Sequence, residues 1–381
     1  MLYQSPELTE QELQIVGRIC QIWDVLHGQL PAQRRWVGIL RQVMLARGIR
    51  GSNSIEGYDV ELDEAAAAVA GEPALDAETE AWRAVVGYRD AMTYVLSLAD
   101  DKDFMYDEGL IRSLHCMMLC YALDKSPGRW RPGSVYVVDE TSKQVVYTGP
   151  DAMDVPELVH ELVEQLRAKD ETPPMIKAAM AHLNLVMIHP FRDGNGRMGR
   201  CLQSLVLARE AAVPAPFVSI EEYLGVNTEA YYKVLTEIGQ GTWQPHRDAR
   251  PWIRFVLTAH YQQAQQMVRR AEEAERRWNL LEAETKKLGL PERSIPGLFN
   301  ACLGFRLRNS DYRDAADVSD TMASRDLARL VEADLLAPRG ERRGRLYTAT
   351  ARLLELNRSI LAERQPIEDP FTRSFGPTLG L

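Results

Sequence analysis

The most chemically dense stretch of the sequence is His189-Pro190-Phe191-Arg192-Asp193-Gly194-Asn195-Gly196-Arg197-Met198-Gly199-Arg200. Histidine titrates near neutral pH and can take a proton from a hydroxyl. The carboxylate of Asp193 suits magnesium, which binds through one or two carboxylates plus phosphate oxygens. Gly194 and Gly196 open the loop to positive φ and expose backbone N–H groups at the start of the next helix. Arg197 and Arg200 lie three apart, on one face of that helix. Two guanidiniums beside a nest of N–H groups suit a polyphosphate.

Two other patterns compete. Gly194-x-Gly196-x-x-Gly199 matches a dinucleotide fingerprint, and Glu221 sits about 20 residues on. The element before it has helical period, however, and no βαβ unit surrounds it. A Walker A loop needs Gly-Lys-Ser/Thr, which is absent. A helix-capping loop with solvated arginines would explain a lone histidine, but not the convergence of a base, a carboxylate, an amide and two arginines.

The flanking sequence reads as two helices that hold this loop. Ile176, Met180, Leu183 and Met187 form one stripe before it, Leu202, Leu205 and Val206 another after it, and Pro190 stops the first helix. Most of the chain is helical by the same test: apolar residues recur at helical spacing between 8 and 46, from Glu78 to Leu98, and from Asp107 to Tyr121. Helices resume at Val155 and Pro174 and continue to about Glu272. Ser134–Val138 and Gln144–Tyr147 are β-prone runs around a polar turn, which predicts a hairpin. The organisation reads as N-terminal helices over 1–100, a core over 101–262, a charged helical connector over 263–296, a module over 297–365 and a tail over 366–381. In the module, a helix Tyr312–Ala316, a turn, a helix Thr321–Leu336 and a basic hairpin-like segment Gly340–Thr348 give the layout of a winged helix-turn-helix.

The chain has 381 residues, a net charge of −9 and a pI near 5.5, which argues against a dedicated whole-chain polyanion binder. The five cysteines contain no CxxC pair, so a zinc site or disulfide framework is not expected and a reducing cytoplasm is. No signal peptide is visible in the first residues, and no apolar run approaches the ~18 residues of a membrane span.

The segment from His189 to Arg200 resembles the signature of Fic-domain proteins, His-x-Phe-x-Asp-Gly-Asn-Gly-Arg-x-x-Arg, at every specified position. The resemblance extends from about Ser52 to His260. It implies a mostly α protein, a helical Fic core with a short β-hairpin flap. It implies transfer of AMP from ATP, with Mg²⁺, to a Tyr, Ser or Thr hydroxyl of a protein. By analogy His189 is the base and Asp193 the metal ligand. Gly194, Asn195, Gly196, Arg197 and Arg200 cradle the phosphates. Val135, Tyr136, Val137 and Val138 form the flap that pairs with the target segment, and Tyr231-Tyr232 lie on the adenine side. Some relatives place an Asn seven residues after that tyrosine pair, where this chain has Gly239.

Upstream, Ser52-Asn53-Ser54-Ile55-Glu56-Gly57 resembles the family's inhibitory motif, which implies that Glu56 pairs with Arg200 and blocks the γ-phosphate. For that, Ile55 has to be buried, holding its helix on the core. Rival readings are transfer of another phosphate-containing group, removal of AMP with Glu56 orienting water, and a DNA-bound regulator with a vestigial core. Residues 301–358 hold 11 Arg against 9 Asp/Glu, a net +2 that is weak for DNA binding. Modules of this layout also serve in homodimer formation and protein recognition. His182 and the other histidines read as packing residues, as do Trp130 and Trp243.

Overall fold

Proline at the first turn and a run of Ala, Leu, Met and Ile without charge after Lys177 make residues 174–188 a helix that can be buried all round. That helix and the one after the His189–Gly194 turn pack together in the computed structural model, which describes residues 1–31, 33–74, 78–138, 144–340 and 345–372. In chain order the helices are α1 Glu10–Gln29, α2 Arg35–Ser54, α3 Leu62–Ala70, α4 Glu80–Ser97, α5 Glu108–Leu119, α6 Val155–Arg167, α7 Pro174–Ile188 and α8 Asn195–Glu210. They continue with α9 Ala215–Val218, α10 Glu221–Val226, α11 Thr228–Gly239, α12 Arg250–Lys287, α13 Ile295–Cys302, α14 Asn309–Ala316, α15 Asp320–Glu332 and α16 Ala351–Ala362. The chain divides into two units, one of residues 1–25, 44–265 and 368–372, the other of 26–43 and 266–367.

The core of the first unit is α7 against α8, flanked by α4, α5 and α6. Leu183, Leu185, Ile188, Leu202, Leu205 and Val206 have no exposed surface there. The predicted hairpin is present. Strand β1 Tyr136–Val138 pairs antiparallel with β2 Val145–Thr148, Tyr136 opposite Thr148. Sequence gave no sign of the third strand, β3 Gly241–Thr242, which pairs parallel with β2 and is too short for a periodic pattern. Tyr147 ties the sheet to the core by donating its hydroxyl to the carbonyl of Met187 at 2.8 Å. Its ring packs on Gly239, where a Cβ would lie 3.0 Å from Tyr147 Cδ2. Gly239 therefore lets the sheet seat closely on α11, and an Asn there would press on the ring and require it to shift by a few tenths of an ångström.

In the second unit α13, α14 and α15 precede a two-stranded antiparallel sheet, β4 Leu336–Arg339 with β5 Leu346–Ala349, and α16 follows. Leu307 adds a single bridge to Tyr347. The helix expected to reach Leu336 stops at Glu332, because Asp334 takes a left-handed turn (φ +54°) and Leu336 opens β4. Asp tolerates that conformation better than most residues. The wing arginines Arg342 and Arg343 lie outside the described residues, as does the tail beyond Thr372 and the hairpin turn 139–143. The charged stretch after Glu273 is the second half of the 38-residue helix α12.

Candidate active site

The turn between α7 and α8 is fixed from several sides. His189 caps α7 in a left-handed conformation (φ +52°), which costs a non-glycine residue of order 1 kcal/mol and persists only where the surroundings hold it. Arg131 does much of that holding. Its Nε donates to the His189 carbonyl at 2.8 Å, and its backbone N–H to the Pro190 carbonyl at 2.9 Å. Asn195 grips Phe191 at both ends, accepting from its N–H and donating to its carbonyl, each at 2.9 Å. The Asn195 amide thus shapes the loop, and what it offers a ligand is its backbone N–H. His115 stacks on the Phe191 ring at 3.6 Å. It accepts from the Gly128 N–H on Nδ1, so Nε2 carries the proton that it donates to the Asp193 carbonyl at 2.9 Å. Burial pushes its pKa down to about 4, keeping it neutral.

His189 presents an unprotonated ring nitrogen. Its Nδ1 lies 3.1 Å from the Val186 carbonyl. A carbonyl only accepts, so Nδ1 carries the hydrogen and Nε2 keeps its lone pair. Burial lowers the pKa, outweighing the Val186 hydrogen bond and the Glu56 carboxylate, so the ring is neutral at pH 7.

The anion end is the first turn of α8. Gly194 has positive φ (+76°), and the N–H groups of Asn195, Gly196 and Arg197 follow without intrahelical acceptors. Gly196 differs from the expectation: it is helical, and its need is for space. A Cβ there would run into Glu56 Oε1. Arg197 and Arg200 are almost fully buried, at 1% exposure each. Arg200 donates from Nε to Ser52 Oγ at 2.8 Å, and from Nη2 to the Ser52 carbonyl at 2.9 Å and Glu56 Oε1 at 2.7 Å. Burial, the largest single influence, would lower its pKa, but Glu56 together with Tyr231 and Tyr88 turns the net shift upward. Arg200 Nη1 and Arg197 Nε are buried without a hydrogen-bond partner among the described residues. Orphaned guanidinium donors at a helix N-terminus suit an anion.

Asp193 is paired with Lys125 at 2.6 Å and accepts from the Gly194 N–H. Burial would raise its pKa, yet Lys125 and Arg197 bring it below the usual value, so it is ionised. No cluster of three metal-binding side chains occurs among the described residues. A single ionised carboxylate beside an anion cradle fits magnesium carried with phosphates, which supply the remaining oxygens.

The helix that carries Glu56 is held close by glycine. A Cβ on Gly51 of α2 would meet the Glu221 carbonyl at 2.6 Å, and one on Gly225 would meet Gly51 Cα at the same distance. The backbones of α2 and α10 therefore touch, and Glu221 is buried, bonded to Tyr88 and Ser204. Gly48 and Gly51, three apart on one helix face, are the signal that could have found this. Ile55 is buried, at 6% exposure. Tyr231 is buried as well and donates its hydroxyl to His182 Nε2 at 2.9 Å, with the Arg200 guanidinium 6.0 Å above its ring. Tyr232 is half exposed and donates to the Ile55 carbonyl at 3.1 Å. Of the flap residues, Val135 and Val137 are half-buried, Tyr136 is exposed, and Val138 ends β1. His115 and Arg131 were not found from sequence; the turn carbonyls they bond, of Asp193 and His189, lie 78 and 58 residues away.

Fold and site together define a helical domain with buried, unsatisfied N–H donors at a helix start and a neutral histidine beside them. Residues 106–207 match the Fic/DOC family model. The chain is 30% identical over 263 residues to a protein adenylyltransferase Fic of Nematostella vectensis, covering 66% of this chain and 55% of that protein. It is 33% identical over 147 residues to the protein adenylyltransferase fic-1 of Caenorhabditis elegans, covering 38% of this chain and 25% of that one. The chain spans about half the length, or less, of the curated relatives it matches. A Fic family protein from Desulfovibrio desulfuricans shares the fold with a TM-score of 0.57 at 24% identity, over 92% of this chain and 99% of that one. Fic-1 of C. elegans does so with a TM-score of 0.53 at 23% identity, over 70% of this chain and 73% of that one.

Proposed function

We propose that this protein is an ATP- and Mg²⁺-dependent protein adenylyltransferase restrained by its own Glu56. The observation that carries the reading is the cradle at the start of α8: buried guanidiniums of Arg197 and Arg200 with unsatisfied N–H groups, beside a histidine whose Nε2 lone pair is free to accept a proton. The relatives' names as protein adenylyltransferases point the same way.

The chemistry follows from those groups. His189 Nε2 takes the proton of a target Tyr, Ser or Thr hydroxyl. That oxygen bonds to the α-phosphorus of ATP, and the bond from the α-phosphorus to the leaving pyrophosphate oxygen breaks. Negative charge builds on the pyrophosphate, where Arg197, Arg200 and the α8 N–H groups offset it. Magnesium held by Asp193 would neutralise the phosphates further. The target segment pairs with the outer edge of β1, which has no strand partner on that side among the described residues. Glu56 takes a donor that the γ-phosphate would use. In the second unit, α14, α15 and the β4–β5 hairpin support a winged-helix reading, with duplex DNA or a second copy of the chain as its partner. The free state of all five cysteines supports a cytoplasmic location.

Intact-mass measurement after incubation with ATP and magnesium tests the reading. A gain of AMP on the chain or on a bait protein is expected. A gain of phosphate alone, or of nothing in a Glu56→Gly variant, overturns it.

A further inference from the structure

Glu56 is one end of a longer set of contacts. Gly57 takes a positive φ (+77°), and the Tyr58 N–H closes the turn on the Asn53 carbonyl at 3.1 Å. The turn lays the Tyr58 ring against the guanidinium of Arg197, 4.9 Å from its centre. Among the described residues, the Arg197 side chain otherwise donates only to the Tyr121 hydroxyl, at 3.5 Å. The Tyr58 hydroxyl accepts from Lys125 Nζ at 3.2 Å, and the same Nζ is the one paired with Asp193. Residues 52–58 therefore hold the charged groups of the cradle from both sides. Ser52 and Glu56 hold Arg200, Tyr58 holds Arg197, and Tyr58 holds Asp193 through Lys125.

We infer that Tyr58 is a second restraining arm, a positioning residue that keeps Arg197 on its ring and Lys125 on Asp193 against a nucleoside triphosphate and its divalent cation. This rests on reading the cradle as the nucleotide site. Lys125 neutralises the carboxylate that the cation would take, so the cation has to displace an ammonium that Tyr58 steadies by a hydrogen bond. A guanidinium spread over an aromatic face is similarly held back from swinging its edge onto a phosphate. Release of one short segment then frees Arg200, Arg197 and Asp193 together.

The test is calorimetric titration of the full chain with a non-hydrolysable ATP analogue, at a series of magnesium concentrations and without magnesium. Wild type, Glu56→Gly, Tyr58→Phe and Tyr58→Ala are compared, with thermal unfolding of each. Tyr58→Phe keeps the ring over Arg197 and loses the hydrogen bond to Lys125. It is expected to lower the magnesium concentration for half-maximal binding roughly two- to fivefold, with little change in the metal-free affinity. Tyr58→Ala is expected to raise the metal-free affinity roughly two- to fivefold as well. If Tyr58→Ala does not fold, the Phe variant carries the test alone. A magnesium curve for Tyr58→Phe that superposes on wild type, or moves to higher concentration, overturns the inference. Tighter binding by Glu56→Gly with no shift in either Tyr58 variant overturns it while leaving the nucleotide site standing. No uptake by any variant, Glu56→Gly included, removes the nucleotide reading and this inference together.

Discussion

Replacing Glu56 by glycine should move stability and nucleotide affinity in opposite directions. The Glu56 carboxylate lies 2.7 Å from Arg200 Nη2, with the arginine side chain fully buried and the glutamate 24% exposed. An exposed pair would be worth ~0–1 kcal/mol, and a charge-assisted hydrogen bond shielded from water about 1.5–3 kcal/mol. Arg200 keeps both bonds to Ser52, so its charge is not stranded and the full penalty of breaking a buried pair does not apply. A loss near 2 kcal/mol follows, or roughly 2–4 °C in melting temperature for a chain of this size. On the proposed reading, the same carboxylate occupies a donor that a phosphate would use. Removing it returns up to the same free energy to binding, about 30-fold in dissociation constant. Thermal unfolding and calorimetry with a non-hydrolysable ATP analogue read the two effects separately. Glu56→Gln, which keeps the size and loses the charge, should fall between glycine and wild type. Unchanged affinity, or affinity and stability falling together, would refute the reasoning.

Other outcomes follow from the same geometry. Asp193→Ala should abolish the magnesium dependence of nucleotide binding along with most of the transfer; superposable magnesium titrations for variant and wild type would remove Asp193 as the ligand. Acid should destabilise the fold between about pH 6.5 and 4. Burial holds His115 at about 4 and His182 and His260 at about 3, so the unfolded chain takes up protons first. The stability these neutral rings provide is full above pH ~6.5 and falls as pH drops, by up to about 1.4 kcal/mol per unit for each. His260→Phe should flatten that slope, since His260 Nε2 has no hydrogen-bond partner among the described residues; an unchanged slope in unfolding midpoints from pH 7 to 5 refutes the assignment. The winged-helix reading predicts binding of duplex DNA through Arg325 and Arg329, weakening steeply with salt and lost in their alanine variants; salt-independent binding, or none, speaks for a protein partner.

The segment 189–200 was legible because its chemistry is contiguous: each residue states a role through its own type, and the two helices around it have a clean period. The hairpin was legible for the same reason, from β-branched residues either side of a polar turn. What escaped is what depends on distant partners. His115 and Arg131 hold the turn through backbone carbonyls far along the chain, and a lone His or Arg carries no local mark of that. Gly196 shows a subtler limit. Glycine in a loop suggests positive φ, but here the reason is the approach of a side chain from residue 56, which only the folded structure brings there. Asn195 reads as a ligand to phosphate, whereas its amide is spent on Phe191. The end of α15 was misplaced because helical spacing runs on through Leu335 and Leu336, while a left-handed Asp334 ends the helix first.

The central claim is that His189 drives transfer of the α-phosphoryl group with its nucleoside, once Glu56 no longer holds Arg200. The most direct measurement is label incorporation into protein by Glu56→Gly, from ATP labelled on the α-phosphate and, in parallel, on the γ-phosphate. His189→Ala/Glu56→Gly serves as the blank. Retained α-label, no γ-label and a drop of ~10²–10⁴-fold in the blank are expected, with analogue binding by calorimetry nearly intact. Retention of the γ-label, or equal incorporation with and without His189, would contradict it.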